Sequence, residues 1–220
     1  MRPSVHITVL AIIATSAVLL WLVCRKHPWR ARTVRLTLGY GLAVNEVIWW
    51  VFRYAHEGIR ISNLPLQLCD ASVWAAVAAC IVPLPILVEF VWFPGVAGAG
   101  MALITPDFWS PWPSYPAIYF FLAHGAIVVA AVVLVFGGIR PLRRNAIWRA
   151  STLLVCYAAF VGLFNAVFHT NYMYLCEKPK VWSPLVLLGP WPWYLFGGAA
   201  IAFVLFALLT IPLRPSAARR

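Results

Sequence analysis

Two residues of this sequence have side chains suited to nucleophilic chemistry inside apolar segments. They are Cys69 and His124, and they lie in separate segments. Burial makes a thiol a poor nucleophile, and a neighbouring imidazole that takes its proton restores the reactivity. At a helical rise of 1.5 Å per residue, Cys69 lies about 7 Å and His124 about 10 Å beyond the start of its segment. These similar depths favour a Cys-His dyad, with the alternative that Cys69 is an apolar filler and His124 a hydrogen-bonded core residue.

Further polar residues lie in or beside the apolar segments, where their cost makes each one a candidate for function. The candidates for substrate binding or support of the dyad are Glu46, Gln67, Asp70, Asn165, His169 and Asn171. Gln67, Asn165 or Asn171 is suited to donating hydrogen bonds to a developing oxyanion. We expect Asp70 either to orient a histidine or to accept hydrogen bonds from loop amides at a helix N-terminus.

Glu46 lies near the middle of an apolar segment and has three interpretations. It is neutral and hydrogen-bonded to Asn45 or to a facing helix, it orients the histidine, or it relays protons in a transporter. His56, His169 and Glu46 lack the spacing of a metal-ligand motif, so no metal site is predicted. No cofactor is predicted either.

The composition indicates an integral membrane protein. Of the 220 residues, 63% are apolar and 10% are charged, and the mean hydropathy is +0.86. These values exclude a soluble domain, a disordered chain and a small secreted disulfide scaffold. The net charge of +11 comes from basic residues in short loops between apolar runs, so nucleic acid is not an expected partner. Membrane lipids are the expected partners, and the oligomeric state is left open.

Seven apolar segments predict an all-α bundle of seven transmembrane helices. They cover approximately residues 5–24, 37–54, 64–82, 86–105, 117–136, 149–169 and 191–212. Each run is continuous rather than alternating and is about twice the length of a membrane β-strand, which argues against a barrel. Because no long linker divides the chain, residues 1–220 are predicted to form one domain.

The distribution of lysine and arginine predicts the orientation of the bundle. One side is expected to hold twelve of them, at Arg25, Lys26, Arg30, Arg32, Arg35, Arg140, Arg143, Arg144, Arg149, Arg214, Arg219 and Arg220. The other side holds five, at Arg2, Arg53, Arg60, Lys178 and Lys180. Basic loops stay in the cytoplasm, so the N-terminus is predicted to lie outside and the C-terminus inside.

Two stretches of the sequence resemble the YwaF-type family of bacterial integral membrane proteins. The first is Leu-Pro-Leu-Gln-Leu-Cys-Asp at 64–70, and the second is Thr-Asn-Tyr-Met-Tyr-Leu-Cys-Glu-Lys-Pro at 170–179, followed by Leu-Gly-Pro-Trp-Pro-Trp-Tyr at 188–194. That family is similar to a eukaryotic transmembrane phospholipid acyltransferase and, more distantly, to the androgen-induced-gene hydrolases of fatty-acid esters. The chain departs from the expected pattern at Gln67, where many members have histidine, and at Cys176, where a basic residue is expected.

This resemblance implies a membrane-embedded acyltransferase or acyl-ester hydrolase in a bacterial cytoplasmic membrane. On the residue-by-residue match, Cys69 is the nucleophile and His124 is the base. A small-solute or proton-coupled transporter or receptor with an outward polar cavity is the alternative, and a non-enzymatic membrane protein is a third reading.

Overall fold

The computed structural model describes residues 1–106, 110–179 and 184–213 of the chain. All regular secondary structure within these ranges is helical, in agreement with the predicted fold class. Lys180, Arg214, Arg219 and Arg220, which entered the charge count, lie outside the described residues.

The described chain contains eight α-helices. They are α1 (Pro3–Lys26), α2 (Ala31–Glu57), α3 (Leu68–Ile81), α4 (Pro85–Phe90), α5 (Val96–Ile104), α6 (Tyr115–Phe136), α7 (Ala146–Phe168) and α8 (Trp193–Leu209). A π-helical turn, Val91–Gly95, joins α4 to α5 without a break. Pro94 lies inside that turn, where its missing N–H and its ring disturb the α-helical hydrogen bonding. Each predicted apolar segment therefore contains one helical rod, and the fourth rod has two helices and a turn.

Five helical segments of the described chain are long and apolar enough to cross a membrane. They are Pro3–Lys26, Pro85–Ile104, Tyr115–Phe136, Ala146–Phe168 and Trp193–Leu213. The helix α3 is apolar but has only 14 residues, about 21 Å against a hydrocarbon core of about 30 Å. The helix α2 is long enough, but Arg32, Arg35, Glu46 and Arg53 lower its hydropathy. The protein is thus a helical integral membrane protein with five clear candidate spans.

The helix α6 lies at the centre of the bundle and contacts α1, α2, α3 and α5. Most of its middle is buried, including Ile127, Val133 and Leu134. Gly125 allows α1 to approach closely, because a Cβ at this position would lie 2.8 Å from Cδ1 of Ile13. The side chains that α6 presents are therefore surrounded by protein on several faces.

Arginine side chains hold one end of the bundle together. The guanidinium of Arg35 donates to the backbone oxygens of Cys80 and, over 2.7 Å, Ile81 at the end of α3. Arg140 donates to the backbone oxygen of Pro83 over 3.0 Å. We call this the arginine-rich end; it comprises the turn before α2, the end of α3 and the loop between α6 and α7. Both α3 and α6 run toward it, so their first turns lie at the opposite end.

A buried carboxylate lies near the arginine-rich end. Both oxygens of Glu89, which is 1% exposed, accept hydrogen bonds from two guanidinium groups. Arg143 donates through Nε and Nη2 over 2.8 Å each, and Arg149 does the same over 2.9 Å each. Paired bidentate geometry is the strongest form of this interaction, so Glu89 ties α4 to the loop before α7 and to α7 itself.

Candidate functional site

Cys69 follows an irregular segment whose backbone is held by tyrosine side chains. The hydroxyl of Tyr172 accepts a hydrogen bond from the Leu64 N–H over 2.6 Å and donates to the Ile61 oxygen over 2.6 Å. The hydroxyl of Tyr157 donates to the Leu66 oxygen over 3.1 Å. Non-helical backbone within a membrane bundle needs such partners inside the protein. These hydroxyls satisfy the backbone that precedes Cys69 and hold it in place.

The start of α3 has a side-chain cap. Asp70 is buried and accepts a hydrogen bond from the Gln67 N–H over 3.0 Å through Oδ2. This confirms the expectation that Asp70 accepts from loop amides at a helix N-terminus. The side-chain oxygen of Gln67 accepts from the Met173 N–H over 2.9 Å. Its amide nitrogen has no recorded hydrogen-bond partner within the described ranges.

Cys69 lies in the first turn of α3 and is partly exposed. The N-terminus of a helix favours a thiolate, whereas burial among protein groups disfavours one, so a nucleophilic role of Cys69 requires a base that takes the thiol proton. No hydrogen bond joins this sulfur to His124 in the described coordinates.

His124 is buried in α6, and its ring orientation is set by its own helix. Nδ1 lies 2.7 Å from the backbone oxygen of Phe120, and the Phe120 ring lies 4.3 Å from the imidazole, centroid to centroid. A carbonyl oxygen only accepts, so Nδ1 carries the proton and Nε2 of the neutral ring is left as an acceptor. This bond matches the alternative that His124 is a hydrogen-bonded core residue, and it also leaves the tautomer that a general base requires.

The packing of Gly95 relates the levels of Cys69 and His124. A Cβ at Gly95 would lie 3.2 Å from Cγ2 of Ile127 on α6 and 3.7 Å from Cβ of Ser72 on α3. Cys69 precedes Ser72 by one helical turn, and His124 precedes Ile127 by one turn. Because α3 and α6 run in the same direction, the two residues lie at a similar level. The depth of about 7 Å for Cys69 assumed a helix that begins at residue 64. This is wrong, because α3 begins only at Leu68, after its cap.

Glu46 forms a buried hydrogen-bonded network beside this region. Tyr119 on α6 donates to Oε2 over 2.6 Å, and Trp50 on α2 donates to Oε1 over 2.7 Å. The ring of Trp49 stacks on Tyr119 with centroids 4.2 Å apart. The expected bond to a facing helix is therefore confirmed, whereas the alternative partner, Asn45, has a buried amide nitrogen with no hydrogen-bond partner among the described residues.

Asn165, in the last turn of α7, and Asn171, just after the helix, brace the loop that follows. Asn165 is buried. Its side-chain amide donates to the backbone oxygen of Tyr172 over 3.0 Å, and its side-chain oxygen accepts from the Tyr172 N–H over 2.9 Å. The side-chain amide of Asn171 likewise donates to the backbone oxygen of Glu177 over 2.9 Å. Through Tyr172, Asn165 is connected to the segment before Cys69. His169 is exposed and ends α7 in a left-handed conformation with φ +52°.

Three tyrosines that organise the region were missed by sequence reasoning. They are Tyr119, Tyr157 and Tyr172. Tyr119 and Tyr172 lie near the ends of apolar segments, a position typical of interfacial anchors, which hides their internal role. The sequence signal that could have found them is the need of a Pro-containing, non-helical run at 61–67 for hydrogen-bond donors from elsewhere.

A lateral groove of about 470 Å³ separates α7 and α8 in the half of the bundle distant from the arginine-rich end. The two helices meet near that end, where the Trp148 and Phe203 rings lie 5.4 Å apart. The groove is lined by Ala158, Gly162, Ala166, Leu175, Cys176, Trp191 and Leu195. It is apolar, and neither Cys69 nor His124 lines it.

Comparison with known proteins gave one family match. Residues 2–210 match the model of the TMEM164 family. No curated protein and no solved structure matches the chain.

Proposed function

The chain belongs to the TMEM164 family of transmembrane proteins, and we propose that it is a membrane-embedded enzyme that transfers or hydrolyses the acyl groups of lipids. Cys69 is the nucleophile and His124 the base. The observation that carries this proposal is the hydrogen bond between His124 Nδ1 and the Phe120 oxygen. It leaves Nε2 as the acceptor of a neutral imidazole inside the bundle.

The proposed reaction has two steps, acylation of Cys69 and transfer of the acyl group to an acceptor. In the first, His124 Nε2 takes the thiol proton as the Cys69 sulfur attacks the carbonyl carbon of an acyl ester. The tetrahedral intermediate collapses, the carbon–oxygen bond breaks, and the imidazolium returns the proton to the leaving alcohol. In the second, the imidazole deprotonates an acceptor hydroxyl, whose oxygen attacks the thioester carbon; the carbon–sulfur bond breaks and the imidazolium returns the proton to the leaving Cys69 sulfur. A lysolipid acceptor gives transfer, and water gives hydrolysis.

Gln67 is the best-supported donor to the oxyanion of that intermediate. It is the residue before α3 and lies two positions from Cys69, and its amide nitrogen has no recorded partner in the described chain. Asn165 and Asn171 use their amide nitrogens to brace the loop. The first-turn N–H groups of α3, which begins at Leu68, lack acceptors within the helix and add further donors.

Membrane lipids are the proposed substrates because an apolar groove lies between α7 and α8, two helices that are long and apolar enough to cross a membrane. Its small residues, Ala158, Gly162 and Ala166, leave room for an acyl chain in the same half of the bundle as Cys69. The groove residues and the proposed dyad are separate sets, so the groove supports the substrate class rather than the chemistry.

We also propose seven spans with the N-terminus outside, in the cytoplasmic membrane of a bacterium, as the similarity to YwaF-type proteins implies. The helices α2 and α3 are the two spans added to the five clear candidates. Cys176 is exposed at the end opposite the arginines. A membrane-impermeant maleimide should therefore label Cys176 in intact cells. Labelling only after lysis would show that the orientation is the opposite one.

A thioester trap tests the chemistry directly. Purified protein is incubated with a phospholipid that carries an alkyne-tagged acyl chain, and label released by neutral hydroxylamine is measured. Wild type should be labelled, whereas Cys69→Ala and His124→Gln should lose at least nine-tenths of the label. The lipid-facing variant Cys156→Ala is the matched control and should keep it. Equal labelling of Cys69→Ala and wild type would rule out this nucleophile.

A proton-coupled transporter is the second candidate, because Glu46 is fully buried within the bundle. Its carboxyl group is engaged on both oxygens, which suits a structural role better than proton exchange. Proton-driven solute uptake in vesicles that disappears in Glu46→Gln, together with no thioester in wild type, would favour the transporter.

A further inference from the structure

We propose that a groove on α2 binds the phosphate and one acyl chain of an anionic phospholipid at the arginine-rich end. The groove has a volume of about 760 Å³, within the usual range of ligand sites. It is lined by Arg32, Thr33, Leu36, Thr37, Tyr40, Gly41 and Val44. None of these residues belongs to the proposed catalytic site, so the inference is independent of the acyl chemistry; it rests on the proposed placement of α2 as a membrane span.

The shape of this groove follows from helical ridges of unequal height. Residues four apart form ridges along a helix surface, and Arg32, Leu36 and Tyr40 make one tall ridge. The adjacent row of Thr33, Thr37 and Gly41 is short. A Cβ at Gly41 would meet nothing within 4 Å, so space remains where the row reaches membrane depth. A narrow apolar chain fits along this row.

The length of the groove matches one leaflet. From Arg32 to Val44 the helix rises about 18 Å at 1.5 Å per residue. Half of a hydrocarbon core of about 30 Å is about 15 Å, so Arg32 lies near headgroup level when Val44 lies near the ends of the acyl chains. The exposed Tyr40 lies between these levels. This spacing is expected for a phospholipid and not for a small solute.

The charge at the mouth of the groove selects an anion. Arg32 is exposed and has no recorded partner among the described residues. Two neighbouring arginines are engaged elsewhere: Arg35 binds backbone oxygens at the end of α3, and Arg30 lies over the Trp29 ring at 4.5 Å. The groove contains no acidic residue. The guanidinium of Arg32 with the hydroxyls of Thr33 and Thr37 therefore offers a phosphate site.

Native mass spectrometry of the full chain tests this site. Wild type in detergent should retain one dioleoyl phosphatidylglycerol molecule in preference to dioleoyl phosphatidylcholine. Removal of one guanidinium near the headgroups, in Arg32→Gln, should weaken phosphatidylglycerol binding about fivefold. Gly41→Phe should block the chain without a clash, and binding should fall by at least as much.

Two matched variants serve as controls. Arg25→Gln removes a charge at the same end, and Val47→Phe enlarges an exposed residue of α2 outside the groove; both should bind like wild type. Wild-type retention in Arg32→Gln or in Gly41→Phe would overturn the proposal. Equal retention of the two lipids by wild type would also overturn it, as would a dimer that Gly41→Phe dissociates, since a second copy would then occupy the groove.

Discussion

The hydroxyl of Tyr119 on α6 donates a hydrogen bond of 2.6 Å to Oε2 of Glu46 on α2. Glu46 is 0% exposed, and Trp50 holds its other oxygen. A carboxyl group at this depth is tolerated because both oxygens have donors. The pair therefore links the central helix to α2 beside the proposed site, and its strength is measurable.

Tyr119→Phe should destabilise the protein by about 1–3 kcal/mol, because one oxygen of Glu46 loses its donor and stays buried. The free energy of unfolding is measured by SDS titration in mixed micelles. Tyr54→Phe, whose hydroxyl has no recorded partner in the described chain, should change it by less than about 0.5 kcal/mol. Glu46→Leu added to Tyr119→Phe should cost clearly less than the sum of the single changes. Strict additivity would show that the pair does not interact.

Tyr172→Phe should loosen the segment that precedes Cys69. The Leu64 N–H and the Ile61 oxygen would both lose the hydroxyl that they share, and each unsatisfied group is costly in a membrane bundle. Hydrogen exchange of residues 61–67 should rise by at least tenfold, which corresponds to about 1.4 kcal/mol of local stability. The exchange of α6 should not change. Unaltered exchange at 61–67 would contradict the bracing role.

Arg149→Ala should destabilise the bundle more than Arg143→Ala. The Arg149 side chain is 34% exposed and that of Arg143 is 46% exposed, so solvent screens the second pair more. We expect about 1–3 kcal/mol for Arg149→Ala, since Glu89 keeps one bidentate partner. Arg144→Ala, an exposed charge in the same loop, should have little effect. Equal midpoints of unfolding for Arg144→Ala and Arg149→Ala would refute this account.

Gly39→Ala and Gly41→Ala should have opposite effects although they lie only two positions apart in α2. A Cβ at Gly39 would lie 2.8 Å from Cβ of Cys80 and push α2 away from α3, whereas one at Gly41 would meet nothing within 4 Å. Gly39→Ala should therefore lower the melting temperature. Gly41→Ala should hold or raise it, with a helix-propensity gain of up to about 1 kcal/mol. A melting temperature of Gly39→Ala at or above wild type would show that α2 and α3 pack differently.

The all-helical fold could be predicted from the sequence because a continuous apolar run longer than a membrane β-strand has few other solutions in lipid. Each of the seven apolar segments contains a helical rod. The ends were less predictable, as at α3. Its first residue is set by a hydrogen bond between the Asp70 carboxylate and the Gln67 N–H, which apolar periodicity does not reveal.

The roles of the polar residues depended more strongly on the fold. The sequence marked Glu46, Asp70 and Asn165 as costly in a membrane, and all three are buried. It did not reveal that Tyr119 supports Glu46 or that Tyr172 joins Asn165 to the segment before Cys69. Glu46 and Tyr119 are 73 positions apart, and Leu64 and Tyr172 are 108 positions apart. Spacing along the chain carries no information about such contacts.

By itself, the sequence determined that this protein is a helical bundle in a membrane. The free energy of transferring apolar side chains out of water depends on composition and segment length, and both are read directly from the sequence. Only the tertiary structure decided that α6 is central, that the His124 ring bonds to its own helix, and that Gly95 packs between α3 and α6. These depend on which helices touch and in which register, and contacts between neighbouring rods fix that choice.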